Sequence, residues 1–200
     1  MNNPLLRILF FTTITLFSFS FTLNAQSETE FQRVYNTKRN FISLSGNIGG
    51  GDYPFAGLGM MLSRQFFNGK TMIGIRAEYI GNTYYWEYID PVQVFPVMLD
   101  VRQKFMESRD GRFSTFVIAD AGYVVSITGN DVDEFGPYEY GNGWGVSPGI
   151  GFRFNIFENV GLMLDFQWFH HAHTKIWELD SKEKEWKHWN TGLVRGSVFF

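Results

Sequence analysis

From residue 41 to the end of the chain, apolar and polar side chains alternate with a period of two, segment after segment. In FPVMLDVRQKF, one face carries Phe95, Val97, Leu99, Val101 and then Phe105, while the other carries Met98, Asp100, Arg102 and Lys104. Successive side chains of a strand point to opposite faces, so this spacing predicts a strand with its charges on one side. The same split sets Ala56, Leu58, Met60 and Leu62 against Gly57, Gly59, Met61 and Ser63, and Ile73, Ile75, Ala77 and Tyr79 against Gly74, Arg76 and Glu78. Farther on, Val117, Ala119, Ala121 and Tyr123 oppose Asp120 and Gly122; Val146, Ile150, Phe152 and Phe154 oppose Gly145, Gly149, Gly151 and Arg153; Leu162, Leu164, Phe166 and Trp168 oppose Gly161, Asp165 and Gln167. With Ile42, Leu44 and Ile48 near the start and WNTGLVRGSVFF at the end, the segments number eight.

The connectors alternate as well. Short turns at Asn68-Gly69, Asp110-Gly111 and Glu158-Asn159 alternate with longer loops around 49–54, 81–91, 127–142 and 170–188. Asn-Gly and Asp-Gly are hairpin signals, and short turns at one end with long loops at the other is the layout of an outer-membrane barrel. A soluble β-sandwich also alternates, but its polar face meets water and favours long solvated side chains. Here that face is crowded with glycine and opposed charges. The strands also have about the 9–11 residues that cross a bilayer at a tilt. The predicted fold is therefore all-β: an eight-stranded antiparallel transmembrane up-and-down β-barrel over residues 41–200, with both termini on the periplasmic side.

Composition narrows the reading further. A net charge of -3 leaves no basic footprint for nucleic acid. Residues 1–25 read as a cleaved signal peptide: Arg7, an apolar run diluted by Thr12, Thr13, Thr15, Ser18 and Ser20, then Leu23-Asn24-Ala25 with cleavage after Ala25. Residues 26–40 then form a short periplasmic segment. The chain has no cysteine, so disulfides, thiolate metal sites and lipid-modified cysteine are excluded. No cofactor is expected.

Counted from the short-turn ends, the inward charges fall at similar heights: Arg76, Glu78, Asp100, Arg102, Asp120, Arg153, Asp165 and Arg195. An eight-stranded barrel is only wide enough inside for side chains to fill, so these four acids and four arginines are expected to pair across the lumen and plug it. A narrow gated pore through rearranging pairs is the competing reading. Tyr84, Tyr85, Trp86, Tyr88, Trp144 and Trp168 gather toward the long loops, and Phe66, Phe67, Phe105, Phe157 and Phe200 toward the short turns, as two interfacial girdles. Pro96 and Pro148 each lack an N–H donor, which predicts bulges or strand ends. Phe200 is predicted to be the girdle residue of the closing strand, with Phe199 pointing inward at the rim.

The signal, the strands FPVMLDVRQKF, FVIADAGYVV and GVSPGIGFRF, and the terminal phenylalanine together resemble small outer-membrane β-barrel proteins of Bacteroidetes. The resemblance covers residues 41–200 and implies a Gram-negative outer membrane, contact with its lipids, and reading of Phe200 as an assembly signal by the barrel-assembly machinery. It implies no activity, which leaves a structural or surface-interaction role, with loops 81–91, 127–142 and 170–188 as the surface for an extracellular partner. QWFHHAHT is also similar to the H-x-S-N segment of outer-membrane lipid A deacylases. On that similarity His171 is the base, His173 stands where the serine nucleophile belongs, Thr174 takes the asparagine position, and Thr174 is the nearest hydroxyl. His171 and His173 share one strand face and so form a two-ligand metal candidate, set against a wet loop cluster with His170. Asp131, Asp133, Glu134 and Glu139 read as a solvated acidic loop, without the spacing of a calcium-binding loop.

Overall fold

A computed structural model describes residues 40–51, 54–82, 93–127, 131–133, 136–157, 160–177 and 184–200. The signal segment, residues 26–39, the Glu158-Asn159 turn and Tyr84, Tyr85, Trp86 and Tyr88 lie outside them. The described strands are β1 Asn40–Gly51, β2 Phe55–Phe66, β3 Thr71–Asn82, β4 Gln93–Glu107, β5 Phe113–Ser126, β6 Asp131–Asp133, β7 Gly136–Phe157, β8 Val160–Trp177 and β9 Lys184–Phe199. All pairings are antiparallel, and β1 pairs with β9 from Ser43↔Phe199 to Gly51↔Thr191. Eight strands therefore close into a barrel. Among the described residues the ninth, β6, pairs only with the start of β7. Closure removes the open sheet edge that an unpaired strand would expose.

The turns follow from their residues. Phe67, Asn68 and Gly69 have φ of 52°, 56° and 79°, and the Gly69 N–H donates to the Phe66 carbonyl at 3.1 Å. Asparagine and glycine tolerate the left-handed region; Phe67 enters it at a cost. At the β4–β5 turn Gly111 takes φ 68°.

At the opposite end the strands outrun the sequence expectation. The β8–β9 ladder continues without a register shift from Gly161↔Phe199 to Ile176↔Lys184, and β7 starts at Gly136. Much of 127–142 and 170–188 is thus sheet rather than loop. These aromatic, histidine and glycine runs keep a ladder donor at every described position but Pro137, beside the start of β7, so the backbone lets the hairpins extend.

The barrel is inside out relative to a soluble protein. Its outer face exposes Leu58 at 72%, Ile48 at 65% and Ile75 at 61%, alongside Leu44, Leu62, Leu99, Ile150 and Phe154. Its interior holds Arg76, Glu78, Asp100, Arg102, Asp120, Asp165 and Arg195, all buried. Exposed apolar surface this continuous is unstable in water and stable against hydrocarbon. Phe66, Phe67, Phe105, Phe157 and Phe200 are exposed around the short-turn end, and Trp144 and Trp168 toward the other.

Two interior apolar layers bracket the charges. Phe41, Met61, Met72, Met163 and Phe199 fill the short-turn end. Phe55, Ile80, Val94, Met98, Val124, Phe169 and Leu193, with Trp189 against them, fill the long-loop half. Pro96 and Pro148 make neither bulges nor strand ends. The β3–β4 pairing lapses between Ala77↔Val97 and Ile80↔Val94, and the β7–β8 pairing between Val146↔His170 and Gly149↔Gln167, each without a change of register. Each proline thus interrupts one ladder and leaves the strand in phase.

Candidate functional site

The interior charges form a belt built by strand parity. Glu78 and Arg76 come from β3, Asp100 and Arg102 from β4, Asp120 from β5, Asp165 and Gln167 from β8, and Arg195 from β9. Arg76 bonds Asp100 through Nη2 and Asp120 Oδ2 through Nη1, the latter at 2.8 Å. Asp100 and Asp120 are direct cross-strand partners. Two carboxylates at that separation repel, and the Arg76 guanidinium bridging them offsets the repulsion.

Arg102 forks the other way. Its Nε donates to Asp100 Oδ1 at 2.8 Å, and Nη1 and Nη2 donate to Asp165 Oδ1 and Oδ2 at 3.0 and 2.8 Å. Arg195 closes the ring: Nε and Nη2 reach Glu78 Oε1 and Oε2 at 2.6 and 3.0 Å, and Nη1 lies 3.6 Å from Asp165 Oδ2. Arginine suits this position because its planar fork serves two carboxylates and stays charged.

Gln167 joins the belt without having been singled out in the sequence. Its Nε2 donates to Asp120 Oδ2 at 2.7 Å and to the Ser147 carbonyl at 3.2 Å, and its Oε1 accepts from Arg195. Parity with Asp165 was the available signal. Asp120 Oδ1 has no hydrogen-bond partner among the described residues. Arg153 sits at another height: its guanidinium carbon lies 4.5 Å from the Phe41 ring centroid and 4.4 Å from that of Phe199, and Nε donates to Asn155 Oδ1 at 2.9 Å. Guanidinium stacking on two rings draws it into the short-turn apolar layer, below the belt.

The glycines of this face make room for the acids. A Cβ on Gly59 would lie 2.7 Å from Glu78 Cγ, and one on Gly151 would lie 2.7 Å from Asp165 Oδ1.

His171 and His173 are not in a wet loop. They are 4% and 1% exposed, point into the lumen from β8, and have ring centroids 5.5 Å apart. The regular β8–β9 ladder turns both rings inward, where Trp189 packs edge-on against them. Among the described residues, no group of three or more His, Asp or Glu converges as a metal cage. Thr174 stands on the opposite face of β8, paired with the exposed Trp186. The imidazole of His171 therefore cannot deprotonate the Thr174 hydroxyl, and the deacylase pairing is not assembled. The side chains of Asp131, Asp133, Glu134 and Glu139 lie outside the described residues.

Phe200 is half exposed at the β1–β9 seam, where its N–H donates to the Ile42 carbonyl at 2.9 Å and its carbonyl accepts from the Ile42 N–H at 3.2 Å.

Neither a protein-family model nor a curated protein matches the chain. Solved structures do. The chain is similar to AlkL, an outer membrane protein solved in lipid bilayers, with TM-score 0.53 and 12% identity over 88% of this chain and 94% of that one. Neisserial surface protein A gives 0.51 and 10% over 80% and 94%. The outer membrane protein OprG of Pseudomonas aeruginosa gives 0.50 and 12% over 80% and 92%. The chain has the fold of small eight-stranded outer-membrane β-barrels. At such identities the likeness concerns fold alone, and it carries no activity across.

Proposed function

We propose that the chain is an integral outer-membrane barrel of a Gram-negative cell, Bacteroidetes-like in its strand motifs, with a lumen sealed by its own side chains. Its role is structural or surface-interactive rather than enzymatic or conductive. One observation carries this reading: the belt of Arg76, Arg102 and Arg195 with Glu78, Asp100, Asp120 and Asp165 is buried between two apolar layers. A permeating ion would have to shed its water at both layers and displace a bonded guanidinium or carboxylate between them, each step costly in a low-dielectric interior. The membrane setting is supported by the apolar outer face and by likeness in fold to OprG and AlkL.

On this reading the chain is exported by the signal in residues 1–25 and inserted by the barrel-assembly machinery through its closing strand, ending in Phe200. Any extracellular partner is met by the connections between β3 and β4, β5 and β7, and β8 and β9. Planar-bilayer recording of purified protein tests the sealed lumen. Wild-type protein gives no steady current, while Arg195→Ala or Glu78→Ala introduces a leak. Regular stepwise openings of wild-type protein would instead establish the gated pore.

A further inference from the structure

The long-loop half of the lumen holds a pair of buried imidazoles that the charge belt does not use. Neither ring nitrogen of His171 has a hydrogen-bond partner among the described residues, although the residue is 96% buried. A buried polar group without a partner is rare in folded proteins and points to an unseen one. On one side His171 and His173 stand opposite Gly145 and Gly143 of β7, which carry no side chains. The strand on the other side offers Trp189, whose ring centroid lies 4.8 Å from that of His171 and 4.6 Å from that of His173, at 75° and 77°. That edge-on packing fixes the plane of both rings. Phe169 stacks on His171 from below at 5.1 Å, closing the site toward the apolar layer.

We propose that His171 and His173 bind one divalent late first-row transition ion in the long-loop half of the lumen. Two neutral imidazoles on one strand face, with ring centroids 5.5 Å apart, can converge nitrogens on an ion at about 2.0–2.1 Å each. Imidazole suits copper, nickel and zinc, with Cu2+ bound tightest in the general order of affinities. The two protein ligands leave the remaining positions to water. A second imidazole pair acts as an internal comparison. His170 and His188 stack at 5.5 Å on the outer face, but His170 Nδ1 is already 2.8 Å from Asn190 Oδ1. Lys187 stands opposite His173. Its positive charge opposes a cation and would favour an anion, so it separates those two ligand classes.

The test is calorimetric titration of CuCl2 and ZnCl2 into the full mature chain, without an added histidine tag, in lipid nanodiscs. The expected result is one ion per barrel, with affinity reduced at least tenfold in His171→Gln and in His173→Gln. His188→Gln leaves the affinity unchanged, and Lys187→Gln leaves it unchanged or tightens it. Differential migration of unboiled and boiled samples shows whether each variant is folded. Electron paramagnetic resonance of the Cu2+-loaded wild type needs no variant and is expected to show coordinating imidazole nitrogens. Absence of binding to the wild type, a copper spectrum without nitrogen coupling, binding retained in folded His171→Gln, or loss confined to His188→Gln would overturn the site. Phosphate binding that Lys187→Gln abolishes, without metal binding, would replace it with an anion site.

Discussion

Arg195 of β9 and Glu78 of β3 meet fork to fork across the lumen, 117 positions apart in sequence, with Nε–Oε1 at 2.6 Å and Nη2–Oε2 at 3.0 Å. Both side chains are about 2% exposed. Removing either partner takes away the other's two-point pairing, leaving Arg195 with Gln167 and Asp165 at 3.6 Å and Glu78 with Arg76 at 4.0 Å. Glu78→Ala and Arg195→Ala are each expected to lower unfolding stability by about 3–5 kcal/mol, read from urea titrations in liposomes. The double variant Glu78→Leu with Arg195→Met should recover much of that loss. Additive losses in the double variant would show that the two groups do not act as a pair.

Gly151 lies beside the same belt. A methyl group there would press on Asp165 Oδ1 at 2.7 Å and Ile118 Cδ1 at 2.8 Å, so Gly151→Ala should push Asp165 off Arg102 and cost about 1–3 kcal/mol. Gly196 faces outward, and a Cβ there meets nothing within 4 Å. Gly196→Ala should be near neutral in the same unfolding assay, and equal losses at both positions would contradict this assignment of faces.

Alternation was legible because the two faces of each strand meet opposite environments, and a slip of one residue would exchange them. Every face assigned from Ala56 to Trp168 is the face seen in the barrel. Height was less legible than parity. Arg153 shares the belt's parity but rests on Phe41 and Phe199, because ring contacts between distant strands leave no trace in local spacing. The same contacts account for Phe199, whose inward position at the rim has no reason until Phe41, Met61, Met72 and Met163 are seen around it. Glycine and aromatic runs read as loops because their composition suits both loops and tall hairpins; only the continuous β8–β9 ladder distinguishes them. The same ambiguity makes a wet loop the sequence expectation for His171 and His173.

The two terminal phenylalanines should separate folding from assembly. Phe199 is 2% exposed inside the short-turn layer, so Phe199→Ala should cost about 3–5 kcal/mol. Phe200→Ala keeps both backbone bonds to Ile42 and should change stability by less than about 1 kcal/mol. Deleting Phe200 should nonetheless lower the fraction of heat-modifiable barrel recovered from cells. Normal recovery of the truncated chain would contradict the assembly role.

The β4–β5 turn carries a pH signature outside the membrane. The Ser108 hydroxyl donates to Asp110 Oδ1 at 2.6 Å and the Arg112 N–H at 3.2 Å, holding the Asp110 carboxyl below its ordinary value. A depressed value means that the turn's added order is present at neutral pH and lost only as pH falls through the carboxyl's own titration. An NMR titration should place Asp110 below an unstructured aspartate, and Ser108→Ala should move it back up. Titration at the ordinary value in the intact protein would remove the turn bond from the account.

The absence of cysteine from the chain permits single-cysteine scanning without background. Spin labels at Val97→Cys and Leu99→Cys, which face outward on β4, should be reached by oxygen dissolved in the bilayer and not by a water-soluble nickel complex. A label at Met98→Cys, buried between them at 2% exposure, should be reached by neither. Nickel access at position 98 would contradict a sealed lumen, and nickel access at 97 and 99 would contradict the membrane-facing barrel itself.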